Sequence, residues 1–412
     1  MIDKFLLGEI AESQTGPFGS QLHEEDYVES GTPIVTVEHL GELGFTTQNL
    51  PFVSDKDVER LKKYTLEEGD IVFSRVGAID RNTLVTKNEN GWMFSGRCIR
   101  VRCNKKKVNP IYLSYYFRLE HFKKMMLNVS VGATMPSLNT DIMDTLPIEL
   151  VSRTEQDKIA LCLNMIDDKI RNNNSICSDL ECMAKLLYDY WFVQFDFPDE
   201  NGKPYKSSGG KMVWNEDLKR EIPAGWEVGT VNDIVNVSSE KITLSQIGSR
   251  VYVPIEAIPR NKMSFSETAD IDKAATGLCQ FEEKAILLSN RRVYFHKVSI
   301  SPFDGITRDT VIIMYPKKSN NLGYVYQVVN SNHFIEYATH NSYGTEQPVL
   351  ATPTALEYKF PYPINSELDI RYSLKVQSMI DKVLELQKEN MQLASLRDFL
   401  LPMLMNGQVK VG

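Results

Sequence analysis

The sequence predicts an α+β protein made by tandem duplication: two mixed globular units, each followed by a long helix, with the helices pairing as an antiparallel coiled coil. Three observations carry this. Met165-Ile166-Asp167-Asp168-Lys169 returns 214 residues later as Met379-Ile380-Asp381-Lys382. Leu186-Leu187 and Leu146-Pro147-Ile148 return in the same register, as Leu400-Leu401 and Phe360-Pro361-Tyr362. Two late stretches, 154–192 and 368–405, keep apolar residues at helical steps of three and four. The stretches before them alternate short apolar runs with Gly, Pro and Asn turns, as short strands do. A repeat this long is not a solenoid but two copies of one domain-plus-helix unit.

Residues 1–150 form the first globular unit. Gly69-Asp70-Ile71-Val72-Phe73-Ser74-Arg75 reads as a turn into a strand. Arg97–Cys103 reads as a half-buried strand, with Ile99, Val101 and Cys103 inward and Arg100 and Arg102 on a basic outer face. Residues 110–127 read as helix, with Asn109 as cap and Pro110 in the first turn.

Residues 151–195 hold the first long helix. Thr154 can cap it, and Glu155 and Asp157 put acids in its first turn. Its seam runs Ile159, Leu163, Ile166, Ile170, Asn173, Cys177, Leu180, Ala184, Leu187, Trp191. At 1.5 Å per residue it spans roughly 60 Å. Residues 196–225 are a linker, because Pro198 and Ser207-Ser208-Gly209-Gly210 cannot hold a helix.

Residues 226–365 are the second globular unit and 366–412 the second long helix. Its seam is Ile380, Leu384, Gln387, Met391, Ala394, Leu401, Met405, with Ser373 and Gln377 as polar interruptions and Asp398 as a defect. Asn173 and Gln387 sit mid-helix. In an antiparallel pair they either meet and fix the register or face solvent.

Composition limits the function. At 412 residues the chain exceeds what one core supports, so two or more domains are expected. The 46 basic and 54 acidic residues give −8, which excludes a uniformly basic coat for nucleic acid but not local basic patches. Cys98, Cys103, Cys162, Cys177, Cys182 and Cys279 form no CxxC pair. A disulfide framework and a zinc finger are therefore unexpected, and a reduced, cytoplasmic setting fits. No run of about 18 apolar residues suggests a membrane span. The first residues lack the apolar core of a signal peptide.

Catalytic machinery is not legible. There is no GxxxxGK[ST] phosphate loop and no Gly-x-Ser-x-Gly elbow. Asn109-Pro110-Ile111-Tyr112 departs from the Asn-Pro-Pro-Tyr motif of amino-methyltransferases at Ile111, and no glycine-rich turn for S-adenosylmethionine precedes it. Pro198-Asp199-Glu200 with Lys203 has a nuclease-like look but lies in the linker. His23, His39, His121, His296, His333 and His340 form no i,i+4 pair, so no metal ligand set is nominated.

Binding features are present in both halves. In the first, Ser74, Arg75, Arg81, Arg100 and Arg102 cluster, with Thr15, Phe18 and Ser20 on the loop Gln14-Thr15-Gly16-Pro17-Phe18-Gly19-Ser20. In the second, Lys241, Arg291, Arg292 and Arg308 are candidates. Ser130–Pro136, with Thr134, parallels Ser342–Pro348, with Tyr343 and Thr345. Arg can grip a guanine edge and Lys can neutralise phosphate. The plainer reading of each residue is solvated surface charge.

Several motifs together give the chain a family resemblance. They are Leu186-Leu187-Tyr188-Asp189-Tyr190-Trp191-Phe192-Val193-Gln194-Phe195-Asp196-Phe197-Pro198, Ile222-Pro223-Ala224-Gly225-Trp226-Glu227-Val228, and Leu396-Arg397-Asp398-Phe399-Leu400-Leu401-Pro402-Met403-Leu404. Thr15-Gly16-Pro17-Phe18-Gly19-Ser20 and Gly69–Arg75 add to them. With these, the chain resembles the specificity subunit of type I restriction-modification systems over essentially its whole length.

The resemblance implies two target-recognition domains, each reading one half of a bipartite double-stranded DNA site. It implies long helices that act as a ruler and dock two methyltransferase subunits, with restriction subunits as further partners. On the helices Ile166, Ile170, Asn173, Leu180, Leu187, Trp191, Ile380, Leu384, Gln387, Met391 and Leu401 would carry the pairing and docking. S-adenosylmethionine, ATP and Mg would belong to those partners, and this chain would hold no cofactor and do no chemistry. Two departures suggest unlike half-sites. Glu283-Lys284-Ala285-Ile286-Leu287-Leu288-Ser289 stands where Gly-Asp-Ile-Val-Phe-Ser would, and Ser238-Ser239-Glu240-Lys241 lacks the Gly-Pro-Phe-Gly run. The rival readings are a coiled-coil scaffold that binds protein without reading DNA, and an independent nuclease.

Overall fold

The structure, a computed structural model, describes residues 3–411 other than 20, 133–135, 275 and 365–366. It forms two compact units, Met1–Arg171 with Leu393–Gly412, and Asn172–Gln392. Each contains one globular part and stretches of both long helices, Arg153–Tyr188 and Leu368–Met405.

In the first unit, strand Asp3–Leu6 pairs antiparallel with Pro147–Leu150 just before the first long helix. A four-stranded sheet follows in the order Ala11–Thr15, Cys98–Cys103, Ile71–Ser74, Asn82–Leu84. Side chains alternate across it. Ile71, Phe73, Ile99 and Val101 enter a core with the helices Pro110–Tyr116 and Glu120–Val129. Val72 and Cys98 enter another core with the small sheet that contains Thr32–Val35 and Met93–Phe94.

Both sheet faces are therefore covered, and this overturns the basic outer face expected for Arg97–Cys103. Arg100 is 3% exposed; it donates to the carbonyls of Lys63 (3.1 Å) and Thr65 (3.3 Å). Arg102 forks onto Asp70 (2.8 and 2.7 Å) and reaches Glu67 at 2.7 Å. The hydrogen bond to Asp70 holds its pKa above the ordinary value. Period-two alternation shows which side chains share a face, not what covers the face.

The second unit repeats this plan. Glu227–Thr230 pairs with Lys359–Tyr362. Its four-stranded sheet runs Val235–Ser238, Val311–Pro316, Ile286–Ser289, Val298–Ile300, the same order in space as the first. Two helices, Leu322–Val329 and Asn332–His340, take the place of the first pair. Ile286–Ser289 is thus the counterpart of Ile71–Ser74, although its sequence gave no clean match. The stretch 196–225 is ordered by an antiparallel hairpin, Met212–Asn215 with Arg220–Pro223, and by Phe197 stacked against Tyr205 and Trp226.

The helices run antiparallel within each unit. In the first, Ile159 and Leu163 share a core with Leu401 and Leu404, and Asp167 meets Arg397 at 3.0 Å. In the second, Cys177 lies against Val383 and Gln387, and the Tyr372 hydroxyl donates to the Ala184 carbonyl at 2.7 Å. Ile170, Trp191, Ile380, Leu384 and Leu401 are buried; Ile166, Leu180, Leu187 and Met391 are half-buried.

The expected pairing of Asn173 with Gln387 is shifted by one helical turn. Asn173 is wholly buried and donates to Asn390 (2.9 Å) and Glu389 (2.8 Å). Gln387 reaches Cys177 instead. Ser373 is no interruption either: buried, it accepts from the Tyr324 amide (2.9 Å) and donates to Asn321 (3.1 Å).

One partly buried acid tunes stability to pH. Burial pushes the Glu181 carboxyl up to about 7, against the opposing pull of Lys262 and the Met263 backbone. In the unfolded chain it titrates at about 4.3. Between these values the folded state holds a proton that the unfolded state has lost. The stability this provides is complete below ~4.3 and is lost as pH rises through about 7. Glu181→Gln should flatten that slope and stabilise the chain at pH 8 by about 1–3 kcal/mol, read by denaturant unfolding across pH.

Candidate nucleic-acid interface

The same turn is built at the end of an inner strand in both units. In the first, Ser74 is fully buried and its hydroxyl donates to the Val76 carbonyl at 2.9 Å, so it shapes the turn and does not reach a partner. Arg75 then ties three loops together. Its amide donates to the Arg97 carbonyl at 2.8 Å, its carbonyl accepts from the Leu138 amide at 2.9 Å, and its guanidinium donates to Leu138 and Gly96 carbonyls. That guanidinium also lies 5.6 Å from the Phe18 ring centroid. Gly77, at φ 79°, donates to the Pro136 carbonyl at 3.0 Å.

Phe18 is 54% exposed beside this junction. Its loop packs closely because two glycines allow it. A Cβ on Gly16 would lie 2.2 Å from the Ser95 carbonyl oxygen, and one on Gly96 would lie 2.3 Å from that of Pro17. Thr15 is half-buried at the end of its strand, and Arg81 is exposed. Ser20 and Thr134 lie outside the described residues. Arg100 and Arg102 leave this surface for the internal bonds described above.

In the second unit the Ser289 hydroxyl donates to the Arg291 carbonyl at 2.8 Å, as Ser74 does to Val76. The Asn290 carbonyl accepts from the Leu350 amide at 2.8 Å, and the Arg292 amide donates to the Pro348 carbonyl at 2.8 Å. The bridge Val131↔Ser137 is matched by Tyr343↔Val349, so the two glycine-containing loops hold the same place in their units. Val76 and Gly77 therefore correspond to Arg291 and Arg292.

Arg291, Arg292 and Arg308 line a cleft of 720 Å³ together with Arg260 and Lys297. Glu256 is the one acid among the residues lining it. The Arg260 guanidinium lies 3.8 Å from the Phe295 ring centroid, and Lys297 donates to the Ile255 carbonyl at 2.7 Å. Burial pulls the Lys297 pKa below its ordinary value. Tyr343 (64% exposed) and Thr345 stand on the adjoining loop. Lys241 is exposed, bridged through its backbone to Cys279, and does not line the cleft.

Sequence reasoning missed Arg260. It joins the cleft through a turn with Asn261 at φ 53°, about thirty positions before Arg291, and no local pattern marks it. A concentration of guanidinium forks can hold phosphate oxygens or guanine edges. Among the described residues no group of three His, Cys, Asp or Glu is placed to hold a metal ion, and no helix is long and apolar enough to cross a membrane.

Known proteins resemble this chain in sequence and plan. The family model of the type I restriction modification DNA specificity domain matches residues 2–181. The MjaIX type I restriction enzyme specificity subunit of Methanocaldococcus jannaschii is 28% identical over an alignment of 324 residues that covers 74% of this chain and 71% of that protein. The HindI specificity subunit of Haemophilus influenzae is 24% identical over 415 residues, covering 86% of this chain and 89% of that one. The solved S subunit of a type I restriction-modification system from M. genitalium has the same fold, with TM-score 0.55, 14% identity and coverage of 98% and 96%. The chain is thus similar to type I restriction enzyme specificity subunits, and its residues 2–181 match the model of the type I restriction modification DNA specificity domain.

Proposed function

We propose that this chain is the non-catalytic, DNA-reading subunit of a methyltransferase and restriction complex. Each globular part reads one half of a bipartite, interrupted site in double-stranded DNA. The long helices hold the two readers and dock two methyltransferase subunits, which bring S-adenosylmethionine; restriction subunits bring ATP and Mg. The observation that carries the reading is one turn built twice with unlike side chains. Phe18, Arg75, Val76 and Gly77 form it in the first unit, and Asn290, Arg291, Arg292 and their basic cleft form it in the second. Two copies of one scaffold with different contact residues suit an asymmetric site.

DNA binding by the assembled complex tests this against the scaffold reading. The complex with its companion methyltransferase should bind duplex DNA with log K falling steeply against log salt, by about 0.9 per phosphate neutralised. The methyltransferase alone should lack the sequence-selective part of that binding. Equal binding with and without this chain would favour a scaffold.

A further inference from the structure

The two equivalent turns differ at one backbone position in a way the fold does not require. Gly77 takes φ 79° in the first unit, as glycine does readily. Its counterpart, Arg292, holds φ 47° and ψ 57°. This is left-handed backbone, which L side chains with a Cβ rarely adopt. Both amides make the same bond, to Pro136 and to Pro348. A glycine would therefore serve the turn equally well, and the arginine is kept for its side chain.

That side chain is poorly satisfied where it lies. One terminal nitrogen donates to the Glu346 carbonyl at a long 3.3 Å. Its Nε is buried without a partner among the described residues. The residue lines the basic cleft together with Arg291 and Arg260. A guanidinium with few internal bonds and an unpaired donor gains most from a ligand that offers two acceptors to its fork. On a DNA duplex, guanine O6 and N7 in the major groove form such a pair. Strained backbone at a binding surface is where function is expected to reside.

We infer that Arg292 is a specificity-determining residue of the second recognition unit, acting beside Arg291 and Arg308, and that it reads a guanine of its half-site through a two-acceptor contact. The inference rests on the DNA-reading function proposed above and adds the base and the residue. Val76-Gly77 offers no such fork, so the first unit reads its half-site by other groups.

The test is Arg292→Gly, the residue that the first unit itself uses. The variant and the unaltered chain are each assembled with the companion methyltransferase in a host that lacks adenine methylation, and the methylated motif is mapped. Unfolding midpoints serve as the control and should not fall, because glycine relieves the left-handed backbone. The unaltered chain should give a motif with a required guanine in one half-site. The variant should lose about 10- to 100-fold of the preference at that position and keep the other half-site. Arg292→Lys should not restore it, since an ammonium lacks the fork. An unchanged motif in the glycine variant would overturn the inference. So would uniformly weaker binding to all sequences with a shallower salt slope, which marks a phosphate contact. If the unaltered chain yields no motif, the DNA-reading function itself fails, and the inference with it.

Discussion

Replacing Asp167 with alanine should destabilise the first unit by about 3–5 kcal/mol, the largest stability effect expected of a single substitution here. Asp167 is 1% exposed and is the shared acceptor of three donors. The Tyr115 hydroxyl reaches it at 2.6 Å, Arg118 at 3.2 Å and Arg397 at 3.0 Å. Arg118 and Arg397 come from a helix–turn and from the second long helix, so one carboxylate ties the globular part to both helices of its unit. Burial pulls the Arg397 pKa down, yet Glu42, Asp167 and Asp398 together raise it above the ordinary value, so the guanidinium stays charged. Without Asp167 a buried cation is left to Glu42 and Asp398, whose side chains are 58% and 64% exposed. Asp398→Ala is the control and should cost less, about 1 kcal/mol, because its carboxylate is mostly exposed and Arg397 keeps Asp167 and Glu42. Denaturant unfolding of both variants checks the contrast, and equal losses would contradict it.

The second large effect is on recognition. Arg291→Ala with Arg308→Ala should abolish selection of one half-site and leave the other intact. Both residues are exposed and line the same cleft. Neither guanidinium supports the core, so folding should be unaffected while each loss costs about 1–3 kcal/mol of discrimination. Phe18→Ala should act on the other half-site, because Phe18 belongs to the first unit's junction with Arg75. Binding of the assembled complex to duplexes altered in one half-site at a time reads both outcomes. Loss of both half-sites from either change would show that the units do not read independently.

The large plan was legible in the sequence because it rests on periodicity. The 214-residue offset and the helical spacing pointed to two units with paired long helices, and the structure shows the same strand order twice. What escaped was set by tertiary neighbours. Arg100 alternates with Ile99 and Val101 like an outward residue, but a second sheet closes over that face. The second helix's seam passes through Asn390 and Arg397, polar residues that a search for apolar spacing skips. They are tolerated because Asn173 and Asp167 bond to them. In the basic cleft of the second unit, Arg291, Arg292 and Arg308 stand out in the sequence as local charge, whereas the place of Arg260 depends on a distant turn. Ser74 looks in the sequence like a contact residue beside Arg75, but its hydroxyl is spent inside the turn.

The central claim is that two unlike readers on this chain choose an interrupted DNA site. Sequence-resolved adenine methylation tests it most directly. The chain is expressed with its companion methyltransferase in a host free of such methylation, beside a host carrying the methyltransferase alone. The account predicts a two-part motif with a fixed spacer that appears only when this chain is present. A soluble complex that leaves no motif, or the same motif in both hosts, would contradict it.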